Sequence, residues 1–322
     1  MSELSLSQTS IRQAFDIIDP VFLNSPQFEL DPLNDVLGTR LLLKVETLNP
    51  IRCFKGRGTD YFVKQRAPAS PLVCASAGNF GQGMAYACRK HNIPLTIFAA
   101  ANANPLKLER MKQLGAEVKL DGADFDAAKA AARAYAFTEG HIFVEDGRDI
   151  EVAIGAGTIG LELSHYPESI NTVLIPVGNG ALINGISTWF KANHPATQII
   201  GVVAAGAPSM DLSWRAGQII LTETAETISD GIAVRTPVPE ALQVMASTVD
   251  DMVQVSDEAT LSAMKLLYQL CGIVVEPAGA VGFAAAMAYK DRFINQVIAT
   301  PICGSNLTKA QMMRWLSVNP NA

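Results

Sequence analysis

Histidine, cysteine and charge are all scarce in this chain of 322 residues, and each scarcity removes a class of function. Only 17% of the residues are charged, the net charge is −6, and the lysines and arginines are scattered, so there is no basic face to meet a phosphate backbone. Nucleic acid is not an expected partner. His91, His141, His165 and His194 have no metal-ligand spacing with carboxylates, so no metal centre is expected. Cys53, Cys74, Cys88, Cys271 and Cys303 form neither a CxxC pair nor a regular framework, which suits reduced, buried thiols in a cytoplasmic protein. No run of about 18 uncharged apolar residues occurs, and that removes a helical membrane span. The first ten residues lack a positively charged start and an apolar core, so no secretory signal is expected and the mature chain is read as beginning where it is written.

What the chain has in plenty is apolar residues, 49% of the total, enough for buried cores over a length that suggests roughly two domains. Short apolar runs alternate with helical stretches. Ser10 is expected to cap a helix over 11–18, followed by strands over 40–46, 72–75, 95–99, 117–120, 141–143, 172–176, 201–204 and 297–302. A helix is expected over 58–65 and a break over 66–71, then helices over 84–90, 105–114, 124–138 and 153–164, with a short last helix to Leu316. Such alternation predicts an α/β fold with parallel, two-sided sheets. Arg110 and Lys112 read as an exposed helix face, and 207–238 as irregular.

Four turns at strand ends carry the chemistry, and a parallel sheet opens its binding crevice at those ends. Lys55 sits in Cys53-Phe54-Lys55-Gly56-Arg57-Gly58, between arginines and beside an aromatic ring. Cationic neighbours and an apolar ring lower a lysine's proton affinity and suit it to hold a carbonyl as a Schiff base; the competing reading is a surface lysine in a basic loop. Ser76-Ala77-Gly78-Asn79-Phe80-Gly81-Gln82 opens a helix and offers amides to an anion, or is an ordinary βα turn. Gly178-Asn179-Gly180-Ala181-Leu182 follows a strand and opens a helix, the order that phosphate binding requires. The GxGxxG-like run from Gly155 to Gly160 lacks a preceding strand, so it is read as a packed helix rather than a dinucleotide site. Glu276 precedes a helix with Pro277 in its first turn, and Cys303-Gly304-Ser305-Asn306 ends the last strand. A cofactor with an aldehyde and a phosphate, as pyridoxal 5'-phosphate has, satisfies the lysine and the glycine turn together.

These motifs, in order along nearly the whole chain, resemble the fold type II pyridoxal-phosphate enzymes related to threonine/serine dehydratase and serine racemase. The phrase around Lys55 is similar to the family's Ser-Phe-Lys-x-Arg-Gly, the 76–82 segment to its Ser-x-Gly-Asn-His-x-Gln, 178–182 to its Gly-Gly-Gly-Gly-Leu, and 303–306 to its Ser-Gly-Gly-Asn. The resemblance implies two open, twisted parallel-sheet domains with the cofactor between them: a large cofactor-binding domain of 1–50 and 146–322, and a small substrate-loop domain of 51–145. It implies Lys55 as the catalytic residue. Cofactor-binding residues are then Lys55, Phe54, Asn79, Gly178, Asn179, Gly180, Ala181, Leu182, Glu276 and Cys303. The substrate's carboxylate falls to Ser76, Ala77, Gly78, Asn79, Phe80 and Gln82.

The departures from the pattern are informative. Ala77 stands where the racemases have a serine that returns a proton to the second face, which favours elimination over racemisation. Phe80 replaces a histidine and makes an aromatic substituent on the substrate plausible, unless its ring turns into the core. Val203 and Ala205 stand where some relatives have acidic cation ligands, and the regulatory domain that biosynthetic threonine dehydratases carry is not expected here. The expected activity is β-elimination from threonine, serine or phenylserine to a 2-oxo acid and ammonia, by a cytoplasmic homodimer. A racemase, a β-replacement synthase and a non-catalytic amino-acid-binding protein are the alternatives.

Overall fold

Leu41, Leu42 and Leu43 are all fully buried although successive strand side chains point to opposite faces, so the strand that carries them is covered on both sides. The same holds for most of the strands in this computed structural model, which describes residues 4–66, 69–101, 103 and 105–316. The strands are β1 (Gln27–Phe28), β2 (Arg40–Val45), β3 (Leu72–Ala75), β4 (Leu95–Ala99), β5 (Glu117–Leu120), β6 (Ile142–Val144), β7 (Thr172–Pro176), β8 (Gln198–Ala204), β9 (Asp251–Val255) and β10 (Val297–Ile302). They form a six-stranded sheet of order β1-β2-β10-β7-β8-β9 and a four-stranded sheet of order β5-β4-β3-β6. Every pairing is parallel except that of β1 with β2. Parallel neighbours need crossovers, and helices supply them. Helices Ile150–Leu163 and Ala181–Asn193 share one apolar cluster with the six-stranded sheet, and Asp257–Cys271 and Pro277–Ala288 share another across its opposite face.

The glycine run from 155 lies inside the helix Ile150–Leu163, buried along nearly its whole length. A β-carbon on Gly155 would lie 2.6 Å from the carbonyl oxygen of Arg57, so this glycine lets two helices touch backbone to backbone. The α/β alternation expected from the sequence is the observed architecture.

Several local expectations are corrected. The first helix is Gln8–Ile17 and its cap is Ser7; Ser10 is the third helical residue and returns the bond, completing a capping box. Helices expected to begin at 58 and 84 begin at Lys55 and Asn79, because their opening glycines are helical. The region 207–238 contains the helix Ser209–Ala216, where Met210 reaches the core and Arg215 bonds Asp211 one turn back at 2.7 Å. Arg110 is not a free surface arginine, since it donates to Asn306 Oδ1 at 2.7 Å. Within the expected break over 66–71, Ala67 and Pro68 lie outside the described residues. Among the described residues no helix is long and apolar enough to cross a membrane.

Candidate active site

In-register parallel pairing brings Ile302 level with Val45, so the turns that follow β10 and β2 emerge side by side. The chain is stitched there. Phe54 N–H donates to the Cys303 carbonyl at 3.0 Å, and Ser305 N–H to that of Arg52 at 2.9 Å. Arg52 takes a left-handed backbone, φ 54°, and its turn leads into the helix Lys55–Arg66. Lys55, the first residue of that helix, points its amine into a cavity of about 470 Å³ that also meets the ends of β3, β6 and β7.

The surroundings of this amine differ from the sequence expectation. Arg57 faces away from it, fully buried, where Glu46 and Glu162 accept from its guanidinium at 2.6 to 2.9 Å. Arg52 is exposed. The charged group beside Lys55 Nζ is instead the carboxylate of Asp146, with oxygens at 2.8 and 2.7 Å, and the Phe54 ring lies over it with its centroid at 4.8 Å. Helix periodicity explains this, because residues two apart point to different sides.

Across the cavity, Gly178, Asn179 and Gly180 lead from β7 into the helix Ala181–Asn193. Among the described residues nothing accepts a hydrogen bond from the backbone N–H groups of these three. Unpaired amides at a helix start form an anion cradle. Gly180 has φ +97°, which disfavours any side chain, and a β-carbon there would sit 2.7 Å from Ala241 Cβ. Ala181 and Leu182 also line the cavity.

The 76–80 segment forms a third wall. Ser76 Oγ accepts from Gly78 N–H at 3.1 Å and Gly81 N–H at 3.0 Å, so this hydroxyl shapes its own turn. Asn79 Nδ2 donates to Glu276 Oε1 at 2.5 Å, and its Oδ1 accepts from Asn306 Nδ2 at 2.8 Å. Those two bonds fix which end of the amide is which. Phe80 does both things left open by the sequence: it joins a core cluster and lines the cavity. Gln82, expected to meet substrate, is buried and does not line the cavity.

Burial pushes the Glu276 carboxyl above its ordinary range, with Asp230 adding to the effect, while Lys107 and the bonds from Asn306 and Asn79 oppose it. Burial likewise raises the Cys303 thiol well above its usual value, helped by Glu46 and Glu276, so it stays neutral. Its Sγ donates to the Pro301 carbonyl.

Sequence reasoning missed Asp146 and the far wall. There Lys107 bonds Asp230, and Arg235 bonds Asp126 at 2.7 Å, each pair crossing between the two sheets' segments. Asp146 sits just past β6 at the strand end that singled out the other turns, so the same rule would have found it. The far-wall pairs join residues far apart in sequence and leave no local signal. Phe125 and Phe143 join Phe54 and Phe80 on the cavity surface.

A family model described as pyridoxal-phosphate dependent enzyme matches residues 18–304. The chain is 36% identical over 278 residues to an L-threonine ammonia-lyase of Thermotoga maritima, covering 85% of this chain and 69% of that one. It is 33% identical over 312 residues to a biosynthetic L-threonine dehydratase of Lactococcus lactis, covering 94% and 75%. Among solved structures, a processed threonine deaminase of Solanum lycopersicum superposes with a TM-score of 0.88 at 30% identity, over 98% of this chain and 89% of that one. A maize serine racemase gives 0.90 at 27% identity, over 97% of each.

Proposed function

Since the chain belongs to the pyridoxal-phosphate-dependent enzymes, we propose that it removes water from a β-hydroxy-α-amino acid whose β-substituent is aromatic, with Lys55 as the residue that moves the α-proton. The coarser activity is that of a pyridoxal-phosphate-dependent lyase of the threonine dehydratase type, which releases a 2-oxo acid and ammonia.

The residues present fit the cofactor. The cavity offers an amine at Lys55, unpaired amides at Gly178–Gly180, and a neutral thiol at Cys303. Lys55 would hold the aldehyde, those amides with Ala181 the phosphate, and Cys303 the ring nitrogen. When bound, pyridoxal phosphate supplies the electron sink that makes an amino acid's α-proton removable.

The remaining work falls to the chain. Loop 76–80, at the start of a helix, binds the substrate carboxylate through backbone amides. Asn79, oriented by Glu276 and Asn306, keeps one N–H for the cavity. Lys55 takes the α-proton on its own face. Ala77 offers no hydroxyl to return a proton from the other side, which supports elimination over racemisation. Phe54, Phe80, Phe125 and Phe143 support an aromatic substituent. Five cysteines without a disulfide suit a reducing cytoplasm, and the family resemblance suggests a homodimer.

The observation that carries this reading is the opening of Lys55, the 178–181 cradle and the 76–80 loop on one cavity. Release of 2-oxo acid from serine, threonine and phenylserine tests it, with chiral analysis of the recovered substrate. Phenylserine should give the highest kcat/KM, with no racemisation. Lys55→Ala should lose both the visible absorbance of bound cofactor and turnover; a coloured, active Lys55→Ala protein would overturn the assignment.

A further inference from the structure

Asp146 is bound to Lys55 through both carboxylate oxygens, and among the described residues its side chain bonds nothing else. Both side chains are largely shielded, 13% exposed for Lys55 and 14% for Asp146, so the pair is screened less than a surface pair. The backbone holds the carboxylate in place. Arg148 N–H and Asp149 N–H close a turn on the Glu145 carbonyl at 3.2 and 3.1 Å, and Asp149 Oδ2 accepts from Glu145 N–H at 2.6 Å.

We propose that Asp146 is a positioning residue that holds the Lys55 ammonium formed when the lysine takes the substrate's α-proton. This rests on the proposed function above, but only on its proton-transfer half. The Cα–H bond breaks and its electron pair stays with the substrate–cofactor framework. The proton forms a new N–H bond on Lys55, and the resulting positive charge appears 2.7 to 2.8 Å from a carboxylate already in position. A charge that develops beside a fixed opposite charge in a shielded site lowers the barrier without reorganisation. Bonded to the cofactor, Lys55 would have fewer hydrogens to offer Asp146 than the free amine, which bonds both carboxylate oxygens. The free lysine is therefore aimed by Asp146 each time it is released.

The test is exchange of the α-proton of L-alanine in deuterated water, followed by proton NMR with the holoenzyme. Alanine has no β-hydroxyl, so exchange reports proton transfer whether or not elimination occurs. Asp146→Asn should exchange at least roughly 100-fold more slowly, in line with the usual contribution of a positioned charge or proton-transfer group. Its cofactor absorbance, melting temperature and alanine affinity should be unchanged, and Asp146→Glu should recover part of the rate. With α-deuterated threonine, the isotope effect on kcat should be larger in Asp146→Asn than in the parent. Exchange at the parental rate in Asp146→Asn would overturn the proposal, and so would loss of bound cofactor or folding in that variant, because the role would then be structural. A parent that exchanges the proton but releases no 2-oxo acid would remove the elimination reading and leave this inference standing.

Discussion

Gly147 lies so close to Asn179 that a β-carbon on the glycine would sit 2.2 Å from the asparagine's carbonyl oxygen. The turn that carries Asp146 is thus seated directly on the loop whose amides form the anion cradle. Gly147 also has φ +88°, so a side chain there meets both a clash and a strained backbone.

Gly147→Ala should therefore disturb two features at once. The backbone strain alone is about 1–2 kcal/mol, and relief of the clash must move either the Asp146 turn or Asn179. The expected result is at least roughly tenfold weaker binding of pyridoxal phosphate by absorbance titration, equivalent to about 1.4 kcal/mol, with a lower melting temperature. Parental affinity in this variant would mean that the two loops are independent.

Arg57→Met should be costly although the residue faces away from the cavity. It would leave Glu46 and Glu162 buried with Lys44 as the remaining nearby cation, which pairs with Glu162 at 2.5 Å. Burial alone would raise the Glu162 carboxyl, yet Arg57 and Lys44 hold it below its ordinary range. Breaking a buried pair from one side costs about 3–5 kcal/mol, and a loss of that size should appear in the urea midpoint. A loss below about 1 kcal/mol, the worth of a surface pair, would refute the role given to this network.

Asp149 gives the pH dependence its sign. Burial raises its carboxyl from 3.8 to about 6, with Glu151 and Glu145 adding to the effect and the Glu145 N–H and Arg66 opposing it. The folded chain then binds this proton more tightly than the unfolded chain. Its stabilising contribution is full below about pH 4, is lost as pH rises through about 6, and stays lost above that. Asp149→Asn keeps an acceptor for Glu145 N–H without the charge. Its stability relative to the parent should rise between pH 4 and 7 by roughly 2–3 kcal/mol, since each tenfold change in proton affinity is worth about 1.36 kcal/mol. Denaturant melts of both proteins at several pH values measure this, and a flat difference would rule the cause out.

The frame of the molecule was legible because its strands are short apolar runs covered on both faces. Strands β3, β4, β7 and β10 begin and end where such runs do. The glycines after 155 could be placed in a helix because no strand precedes them. Other features depend on contacts that composition does not announce. Ser209–Ala216 is helical because Met210 finds a core and Asp211 finds Arg215, against a local sequence that reads as turns. Lys55 and the Phe54 ring beside it are visible in the motif, but the charged surroundings are not: the helix carries Arg57 away to Glu46 and Glu162. The strand end before Asp146 marks it as a site residue, but its pairing with the amine of Lys55 is set by the fold.

Strand β10 is the last strand along the chain and lies between β2 and β7 in the middle of the larger sheet. This has a consequence for synthesis on the ribosome. Until β10 has emerged, β2 has no parallel neighbour, and its leucines stand beside an unpaired edge. The bond from Asn306 Nδ2 to the Ile51 carbonyl, spanning 255 positions, cannot form earlier either. The nascent chain must therefore carry a half-built sheet until β10 has emerged, as slow-folding, long-range topologies do. Until then the apolar 40–45 segment is open to pairing with any other strand edge it meets.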